Sequence, residues 1–486
     1  MAINLSRNTR VFLTTRLNAD GSVPDTSGGF ISTNTWELNI LDGYSFGQTT
    51  QQASVTVEEA GVSPIRSGRT FNTQLSAVDW SFSTYIRPGL VGGFVSPAER
   101  ILWNATLGDG AMDETGYTVS TAPSRATATG AGASTATVNI SASGTNSIAA
   151  LQVLNLNGFS NAEWNQPVTV ISVTPAAGTG TVTATVEYAR APNSAAGLAS
   201  TAVGTATGFA YTGQWARSVA VNTTATVSSY GYVSTMNANK SQLQRFGLIF
   251  AVDNQVYTID NCAVESVAID FGMANIAMCA WSGKGVKLNS VTAVSAASIT
   301  ASTGLAAASY ITNKLSTMTL QSNLGGSDNT AGGTASVAFS IPLTGGNINI
   351  ANNLTYLIPN NIGVVNQPIN YFTGERNITG NVTAYLRTGA SNDMGTLLKN
   401  MLAAASYTTE PKFRMNLEIG GINTANRIEF DMRGVNLQIP TINVADVIAA
   451  TINFNAQPFT PDVVGNIAPS YDLARANELV VRYYAT

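Results

Sequence analysis

The stretch Phe71-Asn72-Thr73-Gln74-Leu75-Ser76-Ala77-Val78-Asp79-Trp80-Ser81-Phe82-Ser83-Thr84-Tyr85-Ile86-Arg87 returns later in the chain as Tyr371-Phe372-Thr373-Gly374-Glu375-Arg376-Asn377-Ile378-Thr379-Gly380-Asn381-Val382-Thr383-Ala384-Tyr385-Leu386-Arg387. Few residues are identical, but the pattern is shared. Val78, Trp80, Phe82, Thr84 and Ile86 alternate with Asp79, Ser81, Ser83, Tyr85 and Arg87; Ile378, Gly380, Val382, Ala384 and Leu386 alternate with Thr379, Asn381, Thr383, Tyr385 and Arg387. A period of two means a strand with one face on a core and the other toward water or a partner. Each copy is followed by a short amphipathic helix. Ser96-Pro97-Ala98-Glu99 reads as the start of the first, with Ser at the N-cap, Pro at the first helical position and Glu at the third. Met394, Leu397, Leu398, Met401 and Leu402 mark the second.

Outward from this pair, the second half retraces the first. Thr312–Thr319 matches 7–15 in pattern, and Asn347–Tyr356 matches Glu37–Phe46. Val435–Pro440 with Ile448–Phe454 mirrors Val264–Phe271 with Ile276–Trp281. The expected fold is mainly β, a sandwich or barrel with one short helix per repeat. The expected organisation is a first repeat over 1–112 and 240–288, a Thr/Ala/Gly-rich β insertion over 113–239, a linker over 289–309 and a second repeat over 310–486. Within the insertion, residues 115–235 carry five charged side chains: Arg125, Glu163, Glu187, Arg190 and Arg217. Thr49 to Arg69 is long and polar and reads as a protruding hairpin, or arm.

Composition narrows the function. The chain has 486 residues, more than one core usually spans, and 44% of them are hydrophobic. Only 11% are charged, with a net charge of −4, so the surface is built from hydroxyls, amides and glycine. That balance does not suit a protein that grips nucleic acid through clustered cations. There is no His, which removes the commonest general base and metal ligand. Neither a nucleophile elbow nor a P-loop occurs, and the adjacent acidic pairs Glu58-Glu59 and Asp113-Glu114 would diverge on a strand. No enzymatic activity, cofactor or metal is expected. Cys262 and Cys279 lie in apolar β-like runs, which favours buried thiols over a disulfide. The N-terminus lacks an apolar signal region and no run reaches the ~18 apolar residues of a membrane span. Synthesis and folding in a cytoplasm, without membrane association, are expected.

Several motifs converge on one family. Arg7-Asn8-Thr9-Arg10-Val11-Phe12, Glu59-Ala60-Gly61, Arg69-Thr70-Phe71-Asn72 and Trp80-Ser81-Phe82-Ser83-Thr84-Tyr85-Ile86 resemble the tail tube proteins of long-tailed, siphovirus-like bacteriophages. So do Pro342-Leu343-Thr344-Gly345-Gly346, Asn353-Leu354-Thr355-Tyr356-Leu357, Tyr371-Phe372-Thr373-Gly374 and Thr383-Ala384-Tyr385-Leu386. The resemblance covers 3–112 and 240–486. It is closest to the variety in which the tube domain is duplicated and three subunits form a pseudo-hexameric ring. It implies a structural subunit of the virion tail that stacks with copies of itself into a tube, meets tape-measure and tail-terminator or tip proteins, and lets DNA pass without specific binding.

On this resemblance, Asp79, Ser81, Ser83, Thr379, Asn381 and Thr383 are candidates for the lumen wall. Neutral groups with scattered carboxylates would not hold phosphates. Glu58, Glu59 and Arg66 on the arm are candidates for ring-to-ring contacts. Arg87 and Arg387, at equivalent strand ends, are candidates for a domain or subunit seam. The insertion has no counterpart in the family and is expected to point outward. The alternatives are a bacterial surface or adhesin-like β protein, which the insertion would suit, and a tail-tip or baseplate ring built on the same domain.

Overall fold

A computed structural model of the chain describes residues 8–26, 28–56, 68–91, 94–108, 112–117, 125–126, 135–146, 153–157, 167–174, 178–188, 205–209, 215–220, 228–234, 243–253, 255–272, 275–302, 310–322, 338–362, 365–387, 393–403, 413–420, 426–443, 448–457 and 478–485. The described chain is mainly β, with two α-helices.

The first repeat begins with β1 (Thr9–Thr14), β2 (Thr35–Leu38), β3 (Ser45–Thr56), β4 (Gly68–Tyr85) and helix α1 (Arg100–Leu107). Three strands from the inserted region follow: β5 (Asp113–Tyr117), β6 (Ala216–Ala220) and β7 (Ser228–Ser234). The repeat closes with β8 (Phe246–Val252), β9 (Gln255–Gly272), β10 (Met278–Gly285) and β11 (Lys287–Val291). The second repeat has β12 (Thr317–Ser322), β13 (Ala338–Pro342), β14 (Gly345–Ala351), β15 (Asn377–Tyr385), α2 (Met394–Ala403), β16 (Phe413–Ile419), β17 (Arg427–Leu437), β18 (Thr441–Asn443), β19 (Ala449–Gln457) and β20 (Val480–Ala485).

The two repeats have the same ladder plan. In the first, an outer layer runs β2–β1–β8–β9–β11. In the second it runs β13–β12–β16–β17–β20. The long strands β9 and β17 leave these layers midway and enter an inner sheet. That sheet holds eight strands in the order β3–β4–β10–β9–β14–β15–β19–β17, all antiparallel. Four strands come from each repeat, and β9 against β14 is the joint between them. One face of the sheet supplies Val78, Trp80, Phe82, Val267, Ile269, Trp281, Ile348, Ile350, Val382 and Ile452 to a core that also contains β8, β16 and the helices.

The ladders correct one sequence match. β14 pairs with β15 as β3 pairs with β4, so residues 345–351 correspond to 43–49, and the equation of Asn347–Tyr356 with Glu37–Phe46 fails. Both stretches are alternating and Asn-rich or polar, so periodicity alone could not choose the partner.

The helices differ from expectation as well. The helix does not start where Ser96 predicts: α1 starts at Arg100 with Glu99 at its N-cap and no side-chain cap. The Glu99 carboxylate turns inward instead and accepts the Arg87 backbone N–H at 3.0 Å. Every residue of α1 is buried, because the helix lies between the repeats. Trp103 meets Trp281 edge-on at 5.0 Å and Phe430 at 6.0 Å, and its Nε1–H donates to the Tyr483 hydroxyl at 2.7 Å. Its counterpart α2 is amphipathic, with Leu397 and Met401 buried and Leu402 64% exposed.

The region expected as a linker opens in β11, which pairs with β9, and 296–298 form a 3-10 turn. The inserted region is stitched to the other repeat: β7 pairs with β20, β6 with β7, and β5 with β6, extending the outer layer of the second repeat. Strands at 205–209, 153–157, 167–174, 178–188, 135–146 and 125–126 form a separate sheet in that order. Cys262 and Cys279 are buried and free, and burial pushes both thiols well above their ordinary range. No helix among the described residues is long and apolar enough to cross a membrane.

Candidate functional surface

The inner sheet has a second face, turned away from the core. Residues directly opposite in an antiparallel ladder share a face. One row across the sheet reads Ser45, Ser81, Ser282, Ser266, Ala351, Asn377. The next reads Ser83, Ala280, Ala268, Asn349, Thr379, Asn455. A third reads Tyr85, Met278, Asp270, Asn347, Asn381, Asn453. The six lumen candidates, Asp79, Ser81, Ser83, Thr379, Asn381 and Thr383, therefore lie on one face of one sheet although they come from both repeats. All six are exposed or half-buried.

The rows are knit by short hydroxyl contacts: Ser45 to Ser81 at 2.9 Å, Ser266 to Ser282 at 2.7 Å, and Thr383 to Thr451 at 3.0 Å. Asn453 Nδ2 donates to Gln438 Oε1 at 3.2 Å. Charge is sparse. Asp79 and Asp270 are exposed, and Lys284 pairs with Glu265 at 2.9 Å. These four belong to the first repeat; at the matching ladder positions the second repeat has Thr379, Asn443 and Asn455 for Asp79, Asp270 and Lys284. The result is a broad hydroxyl and amide wall with few fixed charges.

The remaining candidates fall elsewhere. Arg87 lies at the end of β4 with its guanidinium 4.9 Å from the Tyr310 ring centre, and its backbone N–H serves Glu99. Arg387 is exposed, and its carbonyl accepts the Gly395 N–H at 3.2 Å. Glu58, Glu59 and Arg66 lie outside the described residues. The arm itself is a paired hairpin from Ser45 opposite Ser81 to Thr56 opposite Gly68. Ser266, Ser282, Asn347, Asn349, Asn453 and Asn455 belong to the polar face but were not among the candidates. Their signal was present in Asn347-Ile348-Asn349-Ile350 and Ile452-Asn453-Phe454-Asn455, which alternate with the same period as the quoted strand.

Two kinds of polar group sit in the interior. Glu99 is fully enclosed, and burial pushes its carboxyl up to about 7 against hydrogen bonds from the Arg87 backbone and Tyr483. In the second repeat, Arg414 Nη2 meets Asp431 Oδ2 at 3.1 Å, and Arg482 bridges Glu429 at 2.7 Å and Asp431 at 3.2 Å. Tyr484 donates to Glu429 at 2.5 Å, and Asn416 donates to it at 2.8 Å. Both groups are enclosed within the fold and do not open on the polar face.

Across 468 residues the chain is 24% identical to "Tail tube protein pb6" of Escherichia phage T5, a match that spans 94% of this chain and 73% of that protein. The chain is a homologue of a phage tail tube protein. The match runs well beyond the quoted motifs and bears out the tail tube resemblance drawn from them. No family model matches.

Proposed function

We propose that the chain is a structural subunit of a phage tail tube, located in the virion tail, with the polar face of the inner sheet as its lumen wall. The observation that carries this reading is the continuity of that face across both repeats, backed along its whole width by the core. Its role is mechanical rather than catalytic. Asp79, Ser81 and Ser83, with Thr379, Asn381 and Thr383, line the channel. DNA slides past hydroxyls and amides because there are few cations to hold phosphates, and the scattered carboxylates repel them.

Each chain contributes eight strands, so a ring of three, as the resemblance implies, holds three times eight, or twenty-four. A barrel of more than about sixteen strands leaves an open aqueous channel. The inserted region extends the outer layer of the second repeat, on the side away from the polar face, so it decorates the exterior. Rings stack through copies of the arm, and tape-measure and terminator proteins meet the tube bore and end.

Negative-stain electron microscopy of the concentrated recombinant chain tests the reading. Hollow tubes, or rings with a sixfold-looking bore and three peripheral knobs, are expected. A map with the inserted region inside the bore would overturn the outward placement; a chain that stays monomeric at every concentration leaves either a tube subunit that needs an initiator complex or the surface-protein reading, which it favours.

A further inference from the structure

Among the described residues in the rows that cross the inner sheet, Lys284 is the one basic side chain. It lies on β10 opposite Asp79 of β4, and its Nζ donates to Glu265 Oε1 at 2.9 Å. Glu265 reaches it because of a bulge. Val264 opposes Gly283 and Ser266 opposes Ser282, so Glu265 is the extra residue on β9. In a regular strand neighbours alternate faces, and with Ser266 on the polar face Glu265 would turn to the core. The bulge lets both serve the polar face: Ser266 meets Ser282 at 2.7 Å while Glu265 meets Lys284. The backbone on each side of the pair is held from the second repeat. The Glu265 carbonyl accepts the Asn352 N–H at 2.8 Å, and the Lys284 carbonyl accepts the Tyr356 hydroxyl at 2.9 Å.

The second repeat has the same bulge without the charges. Leu437 opposes Phe454 and Thr441 opposes Thr451, four steps along one strand against three along its partner. The ladders match Leu437 to Val264 and Asn455 to Lys284, so Gln438 is the counterpart of Glu265. Gln438 N–H donates to the Asn453 carbonyl at 2.9 Å, and Asn453 Nδ2 donates back to Gln438 Oε1 at 3.2 Å. Acid and base are therefore replaced together, Glu265 by Gln438 and Lys284 by Asn455. A lysine that served to grip phosphate would not need a carboxylate on its ammonium. An acid that served only to repel phosphate would not need the lysine. What the two repeats share at this place is the absence of an unpaired cation among the described residues.

We propose that Glu265 masks Lys284, holding the one basic group of the lumen wall off the phosphates of passing DNA. This inference rests on the lumen reading and names the residue that keeps the wall from gripping its cargo. Lysine is a compact point charge and a common phosphate binder. Unmasked, it would stand three to a ring of three chains and recur in every stacked ring, so that weak grips would add along the duplex. The pair has no net charge, and Asp79 opposite Lys284 tips the site toward acidic.

Glu265→Gln unmasks the lysine with little change in shape. Tubes assembled from this variant should retain a short, blunt, fluorescent DNA duplex more tightly than unmodified tubes, with a log–log salt slope steeper by about 0.9 for each lysine engaged. Glu265→Gln/Lys284→Asn should return to the unmodified level. Equal retention by Glu265→Gln and unmodified tubes overturns the mask and leaves the lumen reading standing. Extra DNA that a nuclease digests as fast as free duplex is bound outside the bore, which fails the lumen reading and the mask with it. Amine labelling read by mass spectrometry needs no tube. On the unassembled chain, Lys284 should react about two- to fivefold faster in Glu265→Gln, the range that an exposed ion pair supports. Unchanged reactivity would mean that Glu265 does not hold the ammonium, and overturns the proposal whether or not tubes form.

Discussion

The outer layers of the two repeats share a backbone plan and differ in chemistry. In the first, the outward side is largely apolar: Phe12, Ile249, Ala251 and Val256 pack with Val23, Phe30, Val294 and Ile299, and the one buried carboxylate there, Asp260, accepts the Val23 N–H at 2.8 Å and Asn289 Nδ2 at 2.6 Å. In the second, the equivalent side is ionic. Ladder equivalence places Arg414, Asn416 and Glu418 where the first repeat has Gly247, Ile249 and Ala251, and Glu429 and Asp431 where it has Val256 and Thr258. Both sets are buried. A fixed ladder order therefore tolerates either a hydrophobic cluster or an enclosed ion network at the same positions, provided the ions satisfy one another.

The inner core shows the same freedom at smaller scale. Trp80 on β4 fills a slot whose opposite position is Gly283, and a Cβ there would stand 2.6 Å from Trp80 Cε2. In the second repeat the glycine is Gly380 on β15 and the ring is Phe454 on β19; a Cβ on Gly380 would stand 2.6 Å from Phe454 Cζ. One ring fills each slot, supplied from opposite strands. Gly283→Phe puts two rings in one slot and should cost well beyond the ~3 kcal/mol of ordinary overpacking. It should abolish cooperative unfolding. Trp80→Gly with Gly283→Phe removes the ring-on-ring clash but leaves the new Cβ against the Ala263 carbonyl, so it should recover only part of the loss, seen as a broadened but measurable transition in circular dichroism. A double variant no better than the single would show that the slots are not interchangeable.

This exchange explains what was and was not legible. Alternation over 71–87 and 371–387 exposed the duplicated strand, because apolar-in, polar-out periodicity survives any swap of ring for glycine. It also marked the polar face, since Asp79, Ser81 and Ser83 could only point away from Trp80 and Phe82. The neighbours of each strand were not legible. Nothing local in Ala268-Ile269-Asp270 says that it borders Asn347-Ile348-Asn349, and pairing set at that separation is a tertiary choice. The attachment of the inserted region to β20 was hidden for the same reason. Glu99 misled because a Ser-Pro-x-Glu start satisfies local capping rules, while the carboxylate is claimed by the Arg87 N–H across the fold.

The ion network gives the next largest effect. Asp431 receives both Arg414 and Arg482 at full burial. Asp431→Asn leaves those guanidinium groups short of a countercharge and should cost about 3–5 kcal/mol. Chemical denaturation should show a lower midpoint at unchanged slope. A loss under about 1 kcal/mol would mean that the network contributes little at this position.

Glu99 sharpens the comparison between enclosed ions and an enclosed lone acid. Its carboxyl is pushed up to about 7 from an ordinary value of 4.5, chiefly by burial. The folded state therefore holds a proton that the unfolded state releases. This contribution to stability is complete below about pH 4.5, declines as pH rises to about 7, and is lost above it. A shift of that size corresponds to about 3 kcal/mol. Glu99→Gln should be more stable than the unmodified chain at pH 8 by an amount of that order, and the difference should shrink toward pH 4.5. Thermal melts of both chains across that range provide the check, and a constant difference would refute the assignment.

The smallest effect concerns Thr258, which occupies in the first repeat the position Asp431 holds in the second. Its hydroxyl is fully buried and has no hydrogen-bond partner among the described residues. An orphaned buried hydroxyl costs about 1–3 kcal/mol, whereas a methyl group of similar size in an apolar setting costs nothing comparable. Thr258→Val should thus stabilise the chain by about 1 kcal/mol, while Asp431→Val at the equivalent position should destabilise it severely. Opposite signs from the same kind of substitution at matched positions would locate the difference between the repeats in polar satisfaction, not in backbone plan. If calorimetry finds both variants destabilised, the Thr258 hydroxyl has a partner that it keeps, and the first repeat's outer face is less apolar than its packing indicates.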